Sequence, residues 1–227
     1  MPKPIYLSAE DHVRVSEAVA KAELQTAGEI VTILADRSDG YSDIQLAWAA
    51  LAAFLTLFAF ALWPGLPTGL ITAATGNWNV EWSAQAVFTL SAVAATLTFA
   101  VVWLIQLADA VRFALIPGIV RTNRVHDRAI RAFRIGAERR THGRTGILIY
   151  LSMREHRAEI VADEAIAGKV DPEIWGDAMD AMIGALKQGR TADAMIAAVE
   201  RVGTVLAEHV PRAGDDVNEL PDRLIEV

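Results

Sequence analysis

The chain reads as an α/β protein, a small mixed-sheet α/β/α sandwich split by a transmembrane helical hairpin. Three observations point there. Two long apolar runs without a charged side chain occupy the middle of the 227 residues. Short β-branched runs stand on either side of them, and helical periodicity marks both flanks. The hydrophobic fraction of 53% is high for a soluble chain, and the excess is concentrated in the middle.

Ser8, followed by Glu10 and Asp11, makes a helix start, with a hydroxyl for the first free amides and carboxylates at the positive end of the dipole. That helix is expected to run to about Thr26, with Gly28 behind it. Residues 29–35 (EIVTILA) suit a strand buried on both faces. A helix and a strand cannot close a core alone, so their partners must come from beyond the apolar runs.

Residues 44–63 and 84–107 each reach the roughly 20 apolar residues that a hydrocarbon core of about 30 Å requires. Trp48, Trp63, Trp78, Trp82 and Trp103 lie near their ends, where interfacial aromatics belong. The connector 64–83 has no Lys or Arg, whereas Arg112, Arg121, Arg124, Arg128, Arg131 and Arg134 follow the second span. That asymmetry puts the connector outside and both termini inside, and the N-terminus lacks the apolar core of a signal peptide. The division is therefore 1–42 and 119–227 as two parts of one domain, with the hairpin at 43–118.

Arg121 to Thr141 is helical in pattern, with Val125, Ala129, Phe133 and Gly136 on one face. Residues 146–151 (GILIYL) and 158–162 (AEIVA) are strands joined by a polar turn, and the first of them is expected to lie parallel to 29–35 across the long crossover. Asp171 with Pro172 opens a helix marked by Trp175, Ala178, Met182 and Leu186. Thr191 opens another, marked by Met195, Ala198, Val202 and Leu206. The acidic tail 214–227 around Leu220, Leu224 and Ile225 has the makings of a short terminal helix or strand that packs back on the domain.

The strand EIVTILA after an Ala-rich helix, the stretch RTGILIYLSMREHRAEIVADEAIAGKVDPEIW and the tail GDDVNELPDRL together resemble the TPM domain family. The family is named for a thylakoid-lumen phosphatase, a photosystem repair protein and a modulator of nematode acetylcholine receptors. The resemblance covers residues 5–36 and 121–227 and is to the bacterial membrane branch, in which a two-helix insertion splits the domain. It implies an α/β/α sandwich, calcium binding in some members, acid phosphatase activity in some, and auxiliary roles in others. The chain departs from the exported members at Pro4–Asp11 and Ala162–Ala165, where those carry an acidic opening segment and Gly-rich turns.

Cysteine is absent, which excludes disulfides, thiolate metal sites and cysteine catalysis. The net charge of −7 argues against a nucleic-acid binder. There is no D-x-D-x-[TV] run, no H-E-x-x-H and no Gly-rich phosphate loop, and no two of the five histidines stand at i, i+4. No catalytic residue can be named.

Asp36, Asp39 and Asp43 follow the first strand as D-x-x-D-G-x-x-D, where ligands of open α/β sheets gather. Asp36 and Asp39, with Asp163 at the end of the third strand, are the candidate oxygen ligands for calcium. The plainer readings are a solvated loop capping the first span through Asp43, and Asp163 capping the next helix. Arg121, Arg124, Arg128 and Arg131 form a row that suits lipid headgroups or an acidic partner, and positive-inside topology also accounts for it.

The expected function is that of a membrane-anchored accessory protein in a bacterial inner membrane. It would be multi-pass, with its α/β domain cytoplasmic, and would bind and help assemble, repair or modulate a larger membrane complex. The alternative is a metal-dependent, phosphatase-like hydrolase. The expected partners are the bilayer and that complex, and not nucleic acid.

Overall fold

The computed structural model describes residues 6–76, 82–136, 145–171, 173–212 and 220–227, and the chain divides into two compact units, Met1–Asp39 with Gly118–Val227, and Gly40–Pro117. Trp78, the acidic stretch 214–219, His142 and Pro172 lie outside the described residues.

The α/β unit begins with α1 (Ala9–Glu23). Its start is a reciprocal capping box, since the Ser8 hydroxyl accepts from the Asp11 amide while the Asp11 carboxylate accepts from the Ser8 amide. The strand β1 (Glu29–Ala35) is buried at every position, Glu29 and Thr32 included, as its β-branched run between two covered faces requires. After the insertion come α6 (Gly118–Gly136), β2 (Gly146–Ser152), β3 (Arg157–Ala162), a single turn α7 (Glu164–Ala167), α8 (Ile174–Leu186), α9 (Thr191–His209) and the two-residue β4 (Ile225–Glu226).

These strands form one mixed sheet in the order β3-β2-β1-β4. The expected parallel pairing of β1 and β2 is present, with Glu29 opposite Gly146 and Ala35 opposite Ser152. Strand β3 returns antiparallel to β2, and β4 runs parallel to β1 through Ile33 and Ile225. The terminal segment is thus a strand that extends the sheet.

The pleat divides the side chains between two cores. Ile30, Leu34, Ile147, Ile149 and Leu151 join Val15 and Val19 of α1, Met182 of α8, and Met195, Val199, Val202 and Leu206 of α9. Val31, Ile33, Leu148 and Tyr150 point the other way and meet Val125, Ala129 and Phe133 of α6. Helices therefore cover both faces, which makes an α/β/α sandwich. The contact of α1 with α9 is close at Gly203, where an added Cβ would come within 2.7 Å of the Ala22 Cβ.

The inserted unit holds α2 (Ser42–Leu62), α3 (Gly65–Thr75), α4 (Ala84–Ile105) and α5 (Asp109–Leu115). Helices α2 and α4, of 21 and 22 residues, are long and apolar enough to cross a membrane. They pack antiparallel, joined at mid-length by the Thr56 and Thr98 hydroxyls at 3.3 Å. At their base the Gln45 side chain donates to the Gln106 carbonyl at 3.0 Å, and Gln106 returns a bond to the Gln45 carbonyl at 3.2 Å. Arg112 also donates to the Gln106 carbonyl, and Tyr41 meets Phe113 edge-on. Neither long helix is a core helix, because within them only Gln45, Ala49 and Ala95 are buried. Part of the connector left open by the sequence is helical, as α3.

Three boundaries differ from expectation. Helix α1 stops at Glu23 instead of Thr26, because Thr26 turns its hydroxyl onto the Val210 carbonyl and pairs with Pro211. Helix α8 begins at Ile174, and Asp171 bonds the Glu173 amide in the preceding turn. Helix α2 is capped by Tyr41 in a left-handed conformation, with Asp43 in the first turn.

Candidate functional site

Parallel strands present their carboxyl ends at one edge of the sheet, and here that edge carries the densest polar cluster of the α/β unit. Asp36 leaves β1 directly. Its Oδ1 accepts from the Tyr6 hydroxyl and, at 2.9 Å, from the Arg154 Nε. Burial works to raise the Asp36 pKa, but the Tyr6 and Arg154 donors outweigh it and hold the carboxyl below the usual range. Tyr6 is pushed up to about 12, by burial first and by Asp36 second, so it stays a neutral donor. Beside them Glu226 of β4 accepts from the Tyr6 amide at 3.2 Å and meets His12 Nε2 at 3.0 Å.

A second, buried layer lies under the same edge. The β2–β3 turn carries His156 at a positive φ of 52° and folds Glu155 fully inward. Its carboxylate accepts from the Ser38 amide at 2.9 Å and from the Ser152 hydroxyl. Ser38 Oγ in turn lies 2.9 Å from Ser152 Oγ and 3.1 Å from the Tyr150 hydroxyl. Burial raises the Tyr150 pKa, so that hydroxyl also keeps its proton at neutral pH. Charge inside a domain is tolerated only when each oxygen meets a donor, and this layer supplies them. It ties the loop after β1 to the turn after β2.

The candidate ligands are distributed in another way. Asp36 is committed to Tyr6 and Arg154, and Asp39 pairs with Arg124 of α6 at 3.2 Å. Asp163 lies at the other end of the sheet, because β3 is antiparallel and its last residue bonds beside Gly146, where β2 begins. There its Oδ1 caps α7 through the Glu164 amide at 2.8 Å. Among the described residues no group of three or more His, Asp or Glu side chains is placed to hold a metal ion. The three carboxylates therefore do not form one ligand set.

Of the arginine row, Arg128 and Arg131 are exposed, Arg124 holds Asp39, and the Arg121 Nε is buried without a hydrogen-bond partner. Sequence reasoning missed Tyr6, Ser38, Tyr150, Ser152, Arg154 and Glu155. The one available signal was Glu155, a charge inside a short strand-to-strand turn, and turns of that kind are ordinarily solvated.

Residues 110–205 match the family model described as TPM domain. That stretch of the chain is similar to a TPM domain. The matched range takes in α6, β2, β3, α7, α8 and most of α9, so it includes Arg154 and Glu155 and leaves Tyr6 and Asp36 outside. The NMR structure of BA42 protein from the psychrophilic bacterium Bizionia argentinensis superposes with a TM-score of 0.57 at 18% identity, covering 100% of this chain and 99% of that one. That likeness shows the fold. The curated proteins contain no match.

Proposed function

We propose that this TPM-domain protein is a membrane-anchored accessory that binds a larger membrane complex and helps assemble, repair or modulate it. The observation that carries the reading is the hairpin. Two helices of 21 and 22 residues expose their large apolar side chains and bury small ones. That pattern needs hydrocarbon around it. The hairpin interrupts the crossover between the two central strands, which ties the domain to the bilayer through both of its cut ends. An anchor of that kind suits a domain that works on neighbours in the same membrane.

The strand-end cluster agrees with this role. Its carboxylates and hydroxyls are engaged with one another, a rigid polar edge rather than a poised nucleophile and base. The arginines after the second span and the connector without Lys or Arg support a bacterial plasma-membrane orientation, with the α/β unit cytoplasmic. Copurification of the tagged native protein from mild detergent is expected to bring down a stoichiometric membrane partner. Repeated isolation as a lone chain overturns the accessory reading.

A further inference from the structure

The outer face of α6 combines charge with an exposed apolar residue. Arg121, Arg124, Arg128, Arg131 and Ile135 recur at helical spacing and so share one stripe, beside the face that Val125, Ala129 and Phe133 turn to the sheet; Arg128, Arg131 and Ile135 of it are exposed. Ile135 is 75% exposed, with nothing in its own unit covering it. Among the described residues Arg124 of the row is paired with a carboxylate, Asp39, and Arg128 reaches the Tyr150 hydroxyl. The one acidic residue within α6 is Asp127, which the spacing puts beside Arg124 and Arg131.

Chain connectivity limits how far this face can be from a bilayer. Helix α4 ends at Ile105 and α6 begins at Gly118, with the short α5 between them. Exposed Arg128 and Arg131 with an exposed isoleucine about a turn further on, in the helix that follows the second apolar run, match the recognition of anionic headgroups: guanidinium groups pair bidentately with phosphate, and the apolar side chain enters the acyl boundary. We propose that this stripe of α6 lies on anionic phospholipid headgroups of the membrane that holds the hairpin. The proposal rests on the membrane reading of α2 and α4. It assigns to the same arginines a docking role beyond setting topology.

The chain has no cysteine, so a single introduced one reports on one place. Full-length Ile135→Cys, labelled with nitrobenzoxadiazole, is reconstituted in nanodiscs of phosphatidylcholine alone or mixed with phosphatidylglycerol, and quenching by neutral acrylamide is measured. In the anionic discs quenching is expected to fall about threefold or more, and to recover in high salt or with Arg128→Glu and Arg131→Glu combined. Equal quenching in both lipids, or protection indifferent to charge reversal, overturns the proposal. A second label at Phe58→Cys separates the two readings. If it is shielded in both lipids while Ile135 is lipid-blind, only the docking of α6 fails; if it is quenched like free dye, the membrane hairpin fails and the docking of α6 with it.

Discussion

In the α/β unit the large aliphatic residues Leu34, Ile147 and Ile149 are fully buried, whereas in the hairpin Phe54, Phe58 and Leu97 are 68%, 63% and 59% exposed. The hairpin buries Ala49 and Ala95 instead. The two regions use the same kinds of residue and sort them in opposite directions. Water drives large apolar groups inward in the first. On the proposed membrane placement, lipid removes that drive in the second, so close approach and hydroxyl bonds between helices decide what lies inside. The lesson is that burial must be read against the solvent of each region.

The widest contrast is tested by matched truncations. Leu34→Ala should destabilise the α/β unit by about 2–5 kcal/mol in urea unfolding of the reconstituted chain. Phe58→Ala should leave the hairpin within about 0.5 kcal/mol of wild type, because lipid refills the space. An equal cost for both would mean that Phe58 meets protein.

Glu23 breaks the rule from within the α/β unit. One of its carboxyl oxygens accepts from the Ile30 amide at 2.7 Å, and the other, buried, faces the Asp222 carboxylate, to which the protonated form donates. It lines a cavity of about 400 Å³ with Glu17, Glu29, Arg212 and Asp222. Burial, then the charges of Glu29 and Asp222, pushes its pKa up to about 9. A carboxyl with a raised folded pKa binds more protons folded than unfolded. Its contribution is complete below the unfolded value near 4.5 and is lost as pH rises towards 9. Glu23→Gln supplies an amide donor at that oxygen, so it should stabilise at pH 8 by about 1–3 kcal/mol and flatten the pH dependence. Thermal unfolding between pH 5 and 9 checks it, and unchanged curvature sinks the argument.

Two smaller tests follow. Ser8→Ala removes the cap of α1 and should cost about 1 kcal/mol by urea unfolding. Thr56→Ala removes the mid-hairpin bond to Thr98 and should cost about 0.6 kcal/mol, read by steric trapping in bicelles. A larger loss at Thr56 than at Ser8 would show that polar contacts matter more in the hairpin than in the sandwich.

Much of the fold was legible in the sequence, for reasons specific to each element. The runs 29–35 and 146–151 are β-branched and uninterrupted, and only a doubly covered central strand uses such a run. The arginine and apolar faces of α6 were readable because a helix repeats its contacts every three or four residues. The two residues of β4 are too few for any period. Helix α5 carries no pattern beyond Asp109 and Arg112, which bridge at 3.5 Å.

Topology located one edge of the candidate site, the loop at Asp36 and Asp39, but not the groups that complete it. Arg154 and Tyr6 reach Asp36 from 118 and 30 residues away, and Glu155 reaches Ser38 across 117. No local spacing encodes such partners. Asp163 was misplaced because its location depends on the direction of β3, which sends the end of that strand to the opposite rim.

The interruption between β1 and β2 also has a consequence for how the chain is made. Synthesis completes β1 at Ala35 and does not reach its partner until Gly146, roughly 110 residues later, a separation that makes the pairing strongly non-local. A ribosome working at about 5–20 residues per second therefore holds β1 unpaired for several seconds or longer while α2 and α4 emerge. Once those helices close through Gln45 and Gln106, the open part of the loop is roughly halved, which lowers its closure cost by about 0.6 kcal/mol. The free-energy gain is modest, but the order of events is fixed by the chain: both apolar helices are made before the sandwich can exist, and under the proposed function the membrane receives them first. A stalled insertion would leave an apolar strand without a neighbour, open to quality-control proteases.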